Sequence, residues 1–133
     1  MPDITGVHHI NFSVPDLKKS TVWYSEVLGL TKLREMEGPQ GRWTKIIFRH
    51  PGSGLVLGLT EHTSNPGERF SEFHTGMDHI AFSVSDRNEL EAWSARFDQL
   101  GIEHSSIYQA AMGWVLVFRD PDNIQLEMYT PGE

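Results

Sequence analysis

The 133-residue sequence contains seven histidines and no cysteine, so any metal it holds must be bound by imidazole and carboxylate. Disulfides, thiolate zinc sites and cysteine nucleophiles are excluded. Two histidines stand in a repeated context, because Gly6-Val7-His8-His9-Ile10-Asn11-Phe12-Ser13-Val14-Pro15-Asp16 recurs 70 residues later as Gly76-Met77-Asp78-His79-Ile80-Ala81-Phe82-Ser83-Val84-Ser85-Asp86. Ile10, Phe12 and Val14 alternate with polar residues, as in a half-buried strand, which leaves His9, Asn11 and Ser13 on the opposite face. His79, Ala81 and Ser83 follow the same rule. On the final apolar run Ile124, Leu126 and Met128 take one side, and Gln125, Glu127 and Tyr129 share the face of the histidines. If the two copies pair pseudo-symmetrically, His9, His79 and Glu127 point into one concave surface. That is a His/His/carboxylate facial site for a divalent ion, with positions left for water or substrate; Fe, Mn, Zn and Ni all suit it. An inward carboxylate on an otherwise apolar strand is costly to desolvate unless a cation meets it. His8 faces the helix side by the same parity and is not expected to ligate.

These side chains must be placed by a duplicated unit. The two copies of the opening motif agree at seven of eleven positions, and the same shift superposes Trp23 on Trp93 and Phe48-Arg49-His50-Pro51 on Phe118-Arg119-Asp120-Pro121. Each copy reads as a strand followed by an amphipathic helix. Asp16 caps the first, ahead of Leu17, Tyr24 and Leu28, with Gly29 as its stop; Asp86 caps the second, ahead of Leu90, Trp93, Phe97 and Leu100, with Gly101 beyond. Later β-branched and aromatic runs at 42–49, 55–59, 115–118 and 124–129 are bounded by Pro/Gly or Asp-Pro-Asp-Asn turns. The expected fold is α+β: two tandem βαβββ modules, about residues 4–60 and 74–130, joined by a linker at 60–75. Their strands would form a curved, incompletely closed mixed sheet around a metal and substrate cavity, with the helices outside. Neither half is large enough to be stable alone, so residues 1–133 are expected to act as a single domain.

Composition narrows the partners. The formal net charge is −7 and no run of Lys or Arg occurs, which argues against a nucleic acid or an anionic membrane as the main partner. No stretch approaches the roughly 18 apolar residues of a spanning helix, and Met1-Pro2-Asp3-Ile4 has neither the basic nor the apolar region of a signal peptide. The expectation is a cytoplasmic protein that handles a small molecule. For that molecule, parity on the 42–49 strand turns Trp43, Lys45, Ile47 and Arg49 toward the cavity. Lys45 and Arg49 are then either anion-binding groups or solvated edge charges, and Trp43 and Tyr129 either aromatic walls or core packing.

The repeated G-x-x-H-I-x-F-S-V-x-D opening, the helix end Leu28-Gly29-Leu30 and the ending Phe118-Arg119-Asp120-Pro121-Asp122-Asn123-Ile124-Gln125-Leu126-Glu127 resemble the vicinal oxygen chelate superfamily. It includes glyoxalase I, methylmalonyl-CoA epimerase, type I extradiol dioxygenases, fosfomycin-resistance thiol transferases and bleomycin-binding proteins. The resemblance covers nearly the whole chain and implies His9, His79 and Glu127 as the metal ligands. It also implies a homodimer, since relatives pair modules across chains; pairing within one chain is the alternative. Several departures stand out. The fourth ligand of glyoxalase and epimerase, which also supplies a base, falls on Gly58, and the tyrosine of three-ligand members falls on Val117. His62 lies on Gly58's face if that strand continues and is the candidate substitute base, with a plain linker residue as the other reading. The catalytic residue is otherwise unassigned. The expected function is a divalent-metal-dependent enzyme of the glyoxalase/dioxygenase type, a lyase/isomerase or dioxygenase but not an efficient glyoxalase I. It would act on a small oxygenated substrate chelated through adjacent oxygens. The alternative is a metal-free sequestering protein of the bleomycin-resistance type.

Overall fold

Two aspartates start the two helices of this chain, whose structure, a computed structural model, describes residues 1–132. Asp16 has an extended backbone and its carboxylate accepts from the Lys19 N–H at 3.0 Å, opening α1 (Leu17–Leu28). Asp86 does the same for the Glu89 N–H at 3.0 Å, opening α2 (Arg87–Gln99). α1 stops at Gly29, whose φ of 70° is the left-handed conformation that glycine adopts without a Cβ penalty. Its inner face carries Leu17, Ser20, Tyr24, Val27 and Leu28; that of α2 carries Leu90 and Phe97. Neither helix is long and apolar enough to cross a membrane.

The chain divides into two compact units, Met1–Glu68 and Arg69–Glu133. The first holds β1 (Ile10–Ser13), α1, β2 (Thr31–Glu37), β3 (Trp43–Arg49) and β4 (Val56–His62), with a short 3-10 turn at Pro39–Gly41. Its four strands form one mixed sheet in the order β1-β4-β3-β2, with β1 parallel to β4 and the other pairs antiparallel. The second unit repeats this with β5 (Ile80–Ser83), α2, β6 (Tyr108–Ala110), β7 (Gly113–Arg119) and β8 (Gln125–Pro131), in the order β5-β8-β7-β6. Each unit is therefore βαβββ, an α+β arrangement with two mixed sheets that are not closed into a barrel.

Register sorts the side chains of each sheet into two faces. In the first unit Phe12, Leu59 and Ile46 lie in one row, and all are buried on the side where α1 packs against β3 and β4. The next row, Asn11, Gly58 and Ile47, therefore belongs to the opposite face. In the second unit the matching rows are Phe82, Met128 and Leu116 toward α2, and Ala81, Glu127 and Val117 away from it. Gly58 is thus the positional counterpart of Glu127, and Asn11 of Ala81.

Candidate metal and substrate site

His79 and Glu127 are brought together. His79 immediately precedes β5, and Glu127 lies on β8, the strand parallel to it. The imidazole Nε2 is 3.6 Å from Glu127 Oε2, beyond hydrogen-bond length. On the other side of the ring, Nδ1 is 2.7 Å from Asp78 Oδ1. A carboxylate can only accept, so Nδ1 carries a proton and Nε2 is the nitrogen left on the Glu127 side to bind an ion. Glu127 is only 8% exposed, and its Oε1 takes one hydrogen bond, from Gln125 Nε2 at 3.3 Å.

Glu127 is thus a buried carboxylate with one neutral donor and an imidazole nitrogen just beyond hydrogen-bond length. A divalent ion fits. Two ligands at about 2.1 to 2.2 Å from one ion, at angles between octahedral and tetrahedral, stand roughly 3.0 to 3.6 Å apart. Among the described residues no cluster of three or more His, Asp or Glu side chains that could hold an ion is assembled.

His9, the third expected ligand, lies in the first unit, directly before β1 and exposed. Its Nδ1 is 2.9 Å from His8 Nδ1, with the two rings edge to face at 5.2 Å between centroids. In both units the residue before the histidine therefore holds its Nδ1: His8 in one, Asp78 in the other. Strand parity sets His8 toward the helix and His9 away from it, but the strand begins only at Ile10, so parity governs neither.

On the face of the first unit's sheet away from α1, Asn11 fills the space that a side chain at 58 would take, since a Cβ on Gly58 would overlap the Asn11 amide nitrogen. Asn11 Oδ1 accepts from the Thr60 hydroxyl at 2.8 Å, which turns the amide nitrogen over the glycine. Lys45 Nζ lies 4.8 Å from the centre of the Trp43 ring, a cation–π contact. Trp43 itself covers Gly38, leaving no room there for a Cβ. Arg49, at the end of β3, is exposed. β4 does continue to His62, which is exposed and in register with Trp43. It stands four residues, about 13 Å, along the strand from Gly58. Glu61, beside it, accepts from the Leu17 N–H at 2.9 Å and is a second cap on α1. In the second unit the Tyr129 hydroxyl accepts from the Met112 N–H at 3.0 Å, so that group is engaged by the β6–β7 turn.

A charged fork flanks the second unit's pair. Arg119 donates to Glu72 through Nη2 at 2.9 Å and Nη1 at 3.1 Å, to the Asn123 carbonyl at 3.0 Å and to Gln125 Oε1 at 3.1 Å. The hydrogen bond from Arg119 holds the Glu72 carboxyl down at about 2, and Glu72 in turn raises the arginine further above its ordinary value. Neither Glu72 nor Asp78 stands out in the sequence. The first is 47 residues from Arg119, and the second precedes a histidine whose role itself depends on strand pairing.

The sequence matches the Glyoxalase/Bleomycin resistance protein/Dioxygenase superfamily over residues 6–128. The putative ring-cleaving dioxygenase MhqA of Bacillus subtilis is 27% identical over 96% of this chain, which spans 40% of that protein's length. The metallothiol transferase FosB of Staphylococcus haemolyticus is 30% identical, over 96% of this chain and 84% of that one. A glyoxylase/bleomycin resistance protein/dioxygenase domain from Frankia sp. EAN1pec superposes with a TM-score of 0.88 at 32% identity, covering 97% of this chain and 99% of that one.

Proposed function

We propose that this chain, which belongs to the Glyoxalase/Bleomycin resistance protein/Dioxygenase superfamily, is a divalent-metal-dependent enzyme acting on a small substrate that binds through adjacent oxygens. The observation that carries the reading is His79 Nε2 standing 3.6 Å from the buried Glu127 Oε2. His79 and Glu127 would hold the ion together with His9, from the same chain or from a second copy in a homodimer. Residues 1–133 then act as one functional domain, with both modules supplying ligands. Relatives named as a metallothiol transferase and a ring-cleaving dioxygenase support metal use and an oxygenated substrate class. A bound divalent ion supplies Lewis acidity toward the substrate's oxygens.

The chain's own residues then bind and orient. The Asn11 amide nitrogen, turned over Gly58 by Thr60, offers a neutral donor on the face of the first sheet away from α1. Lys45, steadied by Trp43, offers a positive charge on that same face to an anionic oxygen; Arg49 at the strand end and the Tyr129 ring would complete the contacts. No carboxylate stands at Gly58 to act as a base, which favours chemistry other than proton transfer between neighbouring carbons. The charge balance and small-molecule site fit a cytoplasmic enzyme.

The lack of a side-chain ligand at Gly58 also favours a second reading, a metal-free protein that binds and sequesters a small molecule. Element analysis of untagged protein purified without chelators separates the two. The enzyme reading expects close to one equivalent of Fe, Mn, Zn or Ni per chain. Protein that carries no metal and takes up none on titration would leave sequestration as the function.

A further inference from the structure

Glu127 has two carboxylate oxygens and only one of them faces His79. The other, Oε1, accepts from Gln125 Nε2 at 3.3 Å. Gln125 and Glu127 are two residues apart on β8, so their side chains leave the same face. The amide of Gln125 can be oriented in one sense only. Its Oε1 accepts from Arg119 Nη2 at 3.1 Å, and turning the amide over would set donor against donor at Arg119 and acceptor against acceptor at Glu127. Arg119, in register with Gln125 on β7, is itself fixed by the two-pronged bond to Glu72 and by the Asn123 carbonyl. Glu72 lies ahead of β5, on the same stretch of chain that ends in Asp78, the residue holding His79 Nδ1.

We propose that Gln125 is a positioning residue for Glu127, and that Arg119 and Glu72 hold it in place. This rests on the reading of His79 and Glu127 as ligands. The amide engages Oε1 and leaves Oε2 on the His79 side, which favours Glu127 as a one-oxygen ligand and keeps coordination positions for substrate. Through Glu72 and Asp78, one segment before β5 sets the orientation of both ligands.

The test is the affinity of the full chain for Mn(II) alone, read from the electron paramagnetic resonance of the free ion, with circular dichroism to establish folding. Replacing an outer partner of a metal ligand typically weakens binding by about 10- to 100-fold, and that loss is expected for Gln125→Leu. In a Glu127→Ala background the same change should move the affinity by less than about 2-fold, because the oxygen it orients is gone. Glu72→Gln, which keeps the side chain's shape, should weaken binding in the same direction by less, and it carries the test if Gln125→Leu does not fold. Unchanged affinity in folded Gln125→Leu, or in Glu72→Gln where that variant carries the test, overturns the proposal, as does an equal loss with and without Glu127. If Glu127→Ala itself leaves Mn(II) affinity unchanged, the ligand assignment has failed and the positioning role falls with it. If Glu127→Ala abolishes binding and Gln125→Leu does not weaken it, only the positioning role has failed.

Discussion

Substituting Gly58 by alanine sets two opposed effects against each other, and the structure says which wins. Gly58 does not have a positive φ, so an alanine fits the backbone and, by restricting the unfolded chain, would by itself stabilise by about 0.4 to 1 kcal/mol. Its Cβ, however, would overlap the Asn11 amide nitrogen and approach Asn11 Cγ to 3.1 Å. Asn11 must swing away, which breaks the 2.8 Å bond from Thr60 and leaves the hydroxyl of a residue only 6% exposed without its acceptor. That costs about 1 to 3 kcal/mol. Gly58→Ala is therefore expected to destabilise by about 1 kcal/mol. In an Asn11→Ala background the clash and the hydrogen bond are both absent, and the same change should stabilise by about 0.5 kcal/mol. The coupling between the two positions is then about 1.5 kcal/mol, well above the roughly 0.3 to 0.5 kcal/mol of independent sites. Urea denaturation of the four proteins measures it. Additive effects would show that Asn11 does not occupy the place of a side chain at 58.

His104 is held on both nitrogens by acceptors, Asp98 Oδ1 at 2.7 Å and the Ser105 carbonyl at 2.7 Å, and the bond to Asp98 raises its pKa above the usual 6.5. The charged form is the one the fold favours. Its stabilisation should be complete below pH 6.5 and be lost as pH rises through the elevated folded value; His104→Gln should flatten this part of a stability profile measured by thermal unfolding. Light scattering at micromolar concentration should report a dimer of about twice the 15.1 kDa chain, and a mass of one chain would refute it. With the methylglyoxal–glutathione hemithioacetal and Ni(II), Zn(II), Mn(II) or Fe(II), turnover should fall far short of about 10² s⁻¹, since a placed base is worth roughly 10² to 10⁴ in rate. Turnover at that level, lost in His62→Ala, would show that His62 had replaced the missing carboxylate.

The duplicated architecture was legible because its signals are local. Asp16 and Asp86 precede helical spacing directly, and the alternation of Ile10, Phe12 and Val14 separates two faces without knowledge of the partner strand. Glu127 was legible for the same reason: a carboxylate breaks the apolar pattern of β8. The second strand of each unit was not. β2 is almost wholly exposed along Thr31–Glu37, so no buried face imposes an alternation on Thr-Lys-Leu-Arg-Glu-Met-Glu, and β6 has only three residues. What surrounds the site depends on cross-strand register. That Asn11 fills the space above Gly58 follows from two strands being neighbours 47 residues apart in sequence, and Arg119 meeting Glu72 requires a loop to return to the end of β7. Asp78 and Glu61 are ordinary surface residue types, and only the contacts at His79 Nδ1 and at the start of α1 give them roles.

The central claim, that His9, His79 and Glu127 hold one divalent ion, is tested most directly by the anomalous scattering of crystals grown with Mn(II). The account predicts one strong peak per chain, at about 2.0 to 2.3 Å from His79 Nε2, Glu127 Oε2 and an imidazole nitrogen of His9. A bound ion with Glu127 more than about 8 Å from both histidines, far outside any ligand distance, or a peak on other residues with this set bare, would contradict it.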